Sequence, residues 1–331
     1  MKLGLHTYSY HYAAGLWDYA PRESVPMTIE HYLQKAVDLN LDGLYLADTR
    51  HLDSLEYGYV SGLRERATSL GLYLELGTGG TNPDHLQNMV RTAHVLGSPV
   101  VRTMVDKPRP TSSQSMSNLL LASAREIQQV LPVCERYGVS LAIENSPQIT
   151  TRELLSLVEL ADSEWVGVCL DTANPLAVME DPLAVARTLA PLARTVHLKD
   201  YRLVPQPNGL DLIGCSLGEG VVDHRSILEI LSSQAPEVNL NIESVVGKQA
   251  VPVLDAEYLA QFPDVPAGSL GWTLRLVRDR GLPQMPPLAT EQDASEDEIL
   301  AREDDLVLRS VRWAQQALDR PSPGLSDLSE Q

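Results

Sequence analysis

Residues 142–145 (AIEN), 168–174 (VCLDTAN), 195–200 (TVHLKD) and 240–244 (LNIES) decide how this chain is read. Each is a short apolar run of β type that runs out into a polar residue: Glu144, Asp171, His197 and Glu243. Those residues are 27, 26 and 46 positions apart, and the first two intervals are about one strand-plus-helix unit. Such spacing places all four at the carboxyl ends of parallel strands. Two glutamates, one aspartate and one histidine form an oxygen-rich donor set with one imidazole. It suits Mn²⁺, Mg²⁺, Co²⁺ or Zn²⁺ better than a soft metal, and one divalent cation is expected, Mn²⁺ before the others.

Outward from these segments, strand-like and helix-like patterns alternate, the signature of βα units and a parallel sheet. Strands are predicted at 2–8, 43–48, 72–78, 100–105, 140–146, 166–171, 194–199 and 238–244. Eight is the number that closes a barrel, so the fold class is α/β, a (β/α)8 TIM barrel. Helix starts are signalled by Thr28, Asn82-Pro83, Thr151 and Asp181-Pro182, and helix ends by Gly71, Gly97 and Gly138. After strand eight the alternation stops. Residues 246–304 read as a long insertion, its first part (246–280, with Tyr258, Phe262, Trp272 and Leu274) a lid or a contact for a second subunit, its Pro-rich and acidic part (280–304) a solvated, partly disordered loop. A helix over 305–320 completes a single domain at 1–320, and 321–331 form a loose tail.

The bulk composition fits an enzyme of small molecules. With 44 acidic and 26 basic residues the formal charge is −18, which disfavours nucleic acid and anionic membranes as partners. Cys134, Cys169 and Cys215 are an odd number without CxxC spacing and read as reduced core thiols. MKLGLHTYSY at the N-terminus reads as a strand rather than a signal peptide, and no apolar run is long enough to span a membrane, so a cytoplasmic location is expected.

In an eight-stranded α/β barrel the chemistry sits where side chains from separate strands converge, at the carboxyl-end face. Taken singly, each of the four has a plainer reading: Glu144 as a helix cap, Asp171 in a turn with Asn174, His197 as a core histidine, Glu243 paired with Arg102. Four at the same end of predicted strands make coincidence improbable. His6, Tyr8 and Tyr10 follow strand one, Asp48 strand two, Glu75 strand three and Arg102 strand four. His6 is a candidate for acid/base work, and Tyr8, Glu75, Arg102, Asn174 and Lys199 for substrate binding. Lys199 and Asp200 follow the histidine, each open to a salt bridge instead. His11, Trp17, Tyr19 and His51 are candidates for a stacking rim.

IEN, CLDTAN, HLKD, the last-strand glutamate and LGEGVVD at 217–223 together resemble the xylose-isomerase-like barrel proteins, over residues 1 to about 245 and again in the last helix. That family includes ketose 3-epimerases, inosose dehydratases, hydroxypyruvate isomerase and endonuclease IV. The resemblance implies that Glu144, Asp171, His197 and Glu243 bind one divalent cation. It also implies that Glu144 and Glu243 move protons on opposite faces of the substrate. The expected activity is therefore isomerisation or epimerisation of a sugar or keto-sugar through a metal-stabilised enediolate. Two departures weigh against a free ketose: the epimerases carry a histidine shortly after the aspartate and an arginine shortly after the histidine, where this chain has DTAN and HLKDYR. Asn174 stands in the former place, and Arg202 is a candidate for the latter. Endonuclease IV, with extra histidines and a basic surface, is a poorer match. The opening HTYSY, the DTAN form and the long late segment resemble the branch of 3-oxo-isoapionate decarboxylase and the large subunit of C-glycoside deglycosidases. That branch implies, as the alternative, a lyase on a 3-keto sugar derivative. A sugar-binding or partner-dependent subunit is the second alternative, and a homo-oligomer is a further expectation.

Overall fold

The computed structural model describes residues 1–16, 25–47, 49–52, 54–110, 112–286 and 294–320. Its strands are β1 (Lys2–His6), β2 (Gly43–Leu46), β3 (Tyr73–Gly77), β4 (Val100–Thr103), β5 (Ser140–Glu144), β6 (Val166–Asp171), β7 (Ala193–Leu198), β8 (Asp200–Gln206), β9 (Gly209–Cys215), β10 (Asn239–Ile242) and β11 (Lys248–Val251). The α-helices are α1 (Ile29–Asp38), α2 (Tyr57–Ser69), α3 (Pro83–Leu96), α4 (Ser113–Gln128), α5 (Leu131–Tyr137), α6 (Thr151–Ala161), α7 (Pro182–Leu189), α8 (His224–Gln234), α9 (Ala256–Ala260), α10 (Ala267–Arg280) and α11 (Glu296–Ala317). Eight strands, all in parallel pairs, close into a barrel in the order β1-β10-β7-β6-β5-β4-β3-β2. The chain is a TIM barrel.

Barrel strands are covered on both faces, which is why they read as apolar runs; β6 is buried at every residue. Each helix needs only one apolar stripe. In α3 the buried Leu86, Met89, Val90, Ala93 and Leu96 recur at helical spacing. Burying each such leucine side chain is worth about 2 kcal/mol. Thr28, Asn82 and Asp181 cap helices as expected, whereas the cap of α6 is Thr150, one residue early, in a reciprocal capping box with Glu153. Gly97 and Gly138 end their helices at φ of 82° and 65°. The three cysteines are free and buried. No helix among the described residues is long and apolar enough to cross a membrane.

Four differences from the sequence reading bear on the site. β1 stops at His6, because His6 caps a 3₁₀ turn over Thr7–Tyr10. β10 stops at Ile242, so Glu243 stands just beyond its strand. Residues 200–215 form a hairpin that joins β11 in an antiparallel sheet of order β11-β9-β8; Asn208-Gly209 between two apolar runs was the available signal. The last helix begins at Glu296, within the segment read as a solvated acidic loop. A capping box of Ser295 and Glu298 starts it, and Ile299, Glu303, Leu306 and Val307 are its buried stripe. Residues 246–280 supply β11, α9 and α10. There Tyr258 donates to Ala177 O at 2.5 Å, and Phe262 lies under the Arg109 guanidinium.

Candidate functional site

The parallel ladder brings the four strand-end residues together. Asp171 is in register with His197, His197 with Asn241, and Glu144 with Cys169, so Glu144, Asp171, His197 and Glu243 reach the same carboxyl end of the barrel on neighbouring strands. His197 Nδ1 is 3.2 Å from Glu243 Oε2 and 3.9 Å from Glu144 Oε1. Lys199 Nζ lies between Asp171 Oδ2 at 2.8 Å and Glu243 Oε1 at 2.9 Å, and Arg102 Nε is 2.7 Å from Glu144 Oε2. Asn174 ties the pieces: its Nδ2 donates to Glu144 Oε1 at 3.0 Å, and its Oδ1 accepts from Lys199 at 3.4 Å. Arg102 thus pairs with Glu144 rather than Glu243. The turn reading of Asp171 also holds for one oxygen, since Oδ1 accepts from Ala173 N and Asn174 N.

Every one of these side chains is almost fully buried, and their charges therefore act strongly on one another. Burial pushes the Glu243 carboxyl up, but the Lys199 ammonium foremost outweighs it and holds it well below the usual carboxylate range. Burial likewise works against the Lys199 ammonium, and Asp171 and Glu243 overcome it, leaving Lys199 firmly protonated. Three carboxylates face two fixed cations. Beyond the ion pairs with Arg102 and Lys199, Glu144 Oε2 and Asp171 Oδ2 have no well-aligned hydrogen bond, and neither has His197 Nδ1. Buried acceptors left in that state, on hard oxygens plus one imidazole, are what a divalent cation satisfies. The residues fit such an ion.

His6 reaches the same point from β1. Its Nδ1 accepts from Tyr8 N at 3.2 Å, so Nε2 carries the proton and faces Glu243 Oε2 at 3.7 Å. His6, His197 and Glu243 have potential ligand atoms within 4.8 Å of one another, but a protonated Nε2 has no lone pair for a metal. Burial lowers the His6 value well below that of free imidazole, so the ring is neutral. It stacks on Tyr45 at 4.5 Å, a partner that the sequence reading missed because Tyr45 lies mid-strand.

A cavity of about 510 Å³ opens above the cluster, lined by His6, Tyr8, Arg102, Asn174, Lys199 and both glutamates. Arg50 and, from the extra sheet, Lys248 and Gln249 form part of its wall.

Other candidates fall elsewhere. Glu75 is a correction: it sits two residues before the end of β3, a layer below the cavity, with its oxygens bonded to Asn239, Thr195 and Asn241. His11 is wholly buried, stacked on Tyr8 and 3.5 Å from Glu303, and is no rim residue. Arg202 pairs with Glu219 at 2.7 Å and does not line the cavity. Asp200 accepts from four backbone amides, of Tyr201, Gly218, Gly220 and Val222, and so fixes the 217–222 turn. A Cβ at Gly220 would come within 2.1 Å of its Oδ1, which explains the glycine in LGEG. Trp17, Tyr19, Asp48 and the side chain of His51 lie outside the described residues.

The chain is 29% identical to 3-oxo-isoapionate decarboxylase of Pectobacterium atrosepticum over 254 residues, 76% of this chain and 88% of that protein. Its fold resembles that of an IOLI protein solved with a binding zinc atom, with a TM-score of 0.59 and 14% identity over 89% of this chain and 100% of the other. It also resembles D-psicose 3-epimerase of Clostridium cellulolyticum, solved with D-tagatose, with a TM-score of 0.56 and 16% identity over 84% and 97%. Residues 79–256 match the family model of the xylose isomerase-like TIM barrel, and the chain belongs to that family.

Proposed function

We propose that the protein is a divalent-cation-dependent lyase that cleaves a carbon–carbon bond, by decarboxylation, next to the carbonyl of a 3-keto sugar derivative. Isomerisation or epimerisation, the first expectation from sequence, needs a carboxylate free to take a proton from carbon. Both available carboxylates are held by buried cations, Glu144 by Arg102 at 2.7 Å and Glu243 by Lys199 at 2.9 Å. That observation carries the reading, because a buried carboxylate locked in a short ion pair is not free to swing towards a carbon-bound proton. The similarity to a decarboxylase over most of its length supports it.

Glu144, Asp171, His197 and Glu243 would hold the cation, which when bound supplies a charge that draws electrons towards a carbonyl oxygen and its neighbouring hydroxyl. Loss of CO₂ then asks little of the protein's bases. The bond to the carboxylate carbon breaks, its electron pair enters the carbonyl to give an enediolate, and the carbon left behind takes a proton from water. His6 Nε2–H is a preorganised donor for the growing negative charge on oxygen, worth about 3 kcal/mol in such a position. Lys199 and Arg102 orient the carboxylates around the substrate and add positive potential.

The test is proton and carbon NMR of cation-replete protein in D₂O with 3-keto sugar acids, 3-keto glycosides and ketoses. Release of CO₂ with one deuterium on the remaining carbon is expected. Deuterium beside the carbonyl of an intact skeleton would replace the lyase with an isomerase or epimerase. Cation binding without turnover of any of them would leave a binding or partner-dependent subunit.

A further inference from the structure

The two ring nitrogens of His197 have different surroundings. Nδ1 faces Glu144 and Glu243. Nε2 points the other way, and its hydrogen-bond partner among the described residues is Cys169 Sγ at 3.4 Å. Cys169 is completely buried and lies two residues before Asp171 on β6, hence on the same face of that strand. One strand therefore brings both a carboxylate and a sulfur to the imidazole.

We infer that Cys169 is a positioning residue for cation binding: its Sγ accepts a hydrogen bond from His197 Nε2–H and holds the tautomer whose Nδ1 lone pair faces Glu144 and Glu243. This rests on the cation site proposed above and goes beyond it. A ligating histidine usually donates its second N–H to a carboxylate, a carbonyl or water, and the acceptor fixes both the ring and the protonated nitrogen. Here that place is taken by a thiol, a weak acceptor. Glu144, Cys169 and His197 also have potential ligand atoms within 4.8 Å of one another, so the sulfur has to be distinguished from a ligand. A cation bound by Sγ would lie on the Nε2 side of the ring. It would leave Nδ1 facing the glutamates without the ion that satisfies them.

Co²⁺ alone tests this, titrated against a competing chelator into metal-free parent, Cys169→Ala and Cys169→Ser, with visible and near-ultraviolet absorption recorded. Cys169→Ala is expected to bind about tenfold more weakly, the low end for a lost supporting partner. Cys169→Ser, whose hydroxyl also accepts, recovers at least part of that loss. The ligand-field bands of the parent appear without thiolate-to-cobalt charge transfer. A charge-transfer band in the parent that vanishes in Cys169→Ala would make Cys169 a ligand and overturn the inference. So would an affinity of Cys169→Ala within twofold of the parent. Should the alanine variant fail to fold by circular dichroism, the serine variant decides: tighter than tenfold loss with unchanged ligand-field bands supports positioning, and complete loss of binding overturns it. Cys134→Ala, another buried thiol, controls for core loss and keeps parental affinity. A folded parent that binds no Co²⁺ sinks the cation site and this inference together, whereas a binding parent with an indifferent Cys169 sinks the inference alone.

Discussion

His6 and His197 meet edge to face, with ring centroids 4.5 Å apart, yet the two regions that deliver them are built differently. His197 lies within β7, flanked by the ladders of β6 and β10, and its ring is held by a neighbour in the same barrel. His6 is the last residue of β1, and its ring is set by the turn that follows. That turn is in turn held from a distance: Glu303 of α11 accepts from Tyr12 N and Ala13 N at 2.7 and 2.9 Å, and Asp304 accepts from Tyr10 Oη at 2.8 Å. The charge-binding half of the site is thus part of the barrel wall. The N–H-donating half depends on a helix contributed by the end of the chain, so the two can be disabled separately.

The largest effect should separate the two rings. His197→Ala removes a proposed ligand and is expected to weaken Mn²⁺ or Co²⁺ binding by more than about 100-fold, beyond what a lost supporting partner costs. His6→Ala is expected to leave cation affinity within a few-fold of the parent while lowering kcat by about 10²–10³, the cost of one lost oxyanion donor. Isothermal titration and steady-state kinetics on the same preparations check both. Equal loss of cation in the two variants would make His6 a ligand and end the contrast between the regions.

Next in size is the helix that holds the turn. Glu303 is completely buried, and Glu303→Gln turns one of its two accepting oxygens into a donor facing a backbone N–H. The expected cost is about 2 kcal/mol of stability, read by urea unfolding. Turnover should fall or KM rise several-fold through His6 and Tyr8, with cation affinity unchanged. A variant that loses cation as well would show that α11 supports the whole site rather than its β1 side.

The same contrast explains what was legible in the sequence. Glu144 and Asp171 end regular strands and His197 stands one residue before the end of its own, so period and spacing pointed to them, and Glu243 follows the last barrel strand by one residue. Residues that act through distant contacts left no periodic mark. Glu303 sits in EDEILAREDD, where three acidic residues precede it and two follow, hiding the single buried one. Cys169 read as an ordinary core thiol, because only the pairing of β6 with β7 reveals the imidazole beside it. Asp200 read as a partner for a salt bridge to a neighbouring loop, and the four amides it gathers come from a turn whose path no local pattern specifies.

Glu75 offers the smallest and most discriminating effect, because it lies beneath both halves and outside the cavity. Burial pushes its carboxyl up despite hydrogen bonds from Thr195, Asn239 and Asn241. A carboxyl whose value is higher folded than unfolded favours the fold while protonated. That contribution is complete below the ordinary value of 4.5 and is lost as pH rises through the folded value. At neutral pH the ionised group is a cost. Glu75→Gln keeps the shape and needs only a turned Asn239 amide to stay bonded, so it should be level with the parent near pH 4. Above that it should become the more stable by about 1 kcal/mol, or about 2 °C in Tm for a chain of this size. Cation affinity and KM should stay at parental values. A raised KM would restore Glu75 as a substrate contact, and a Tm difference independent of pH would remove the buried charge as its cause.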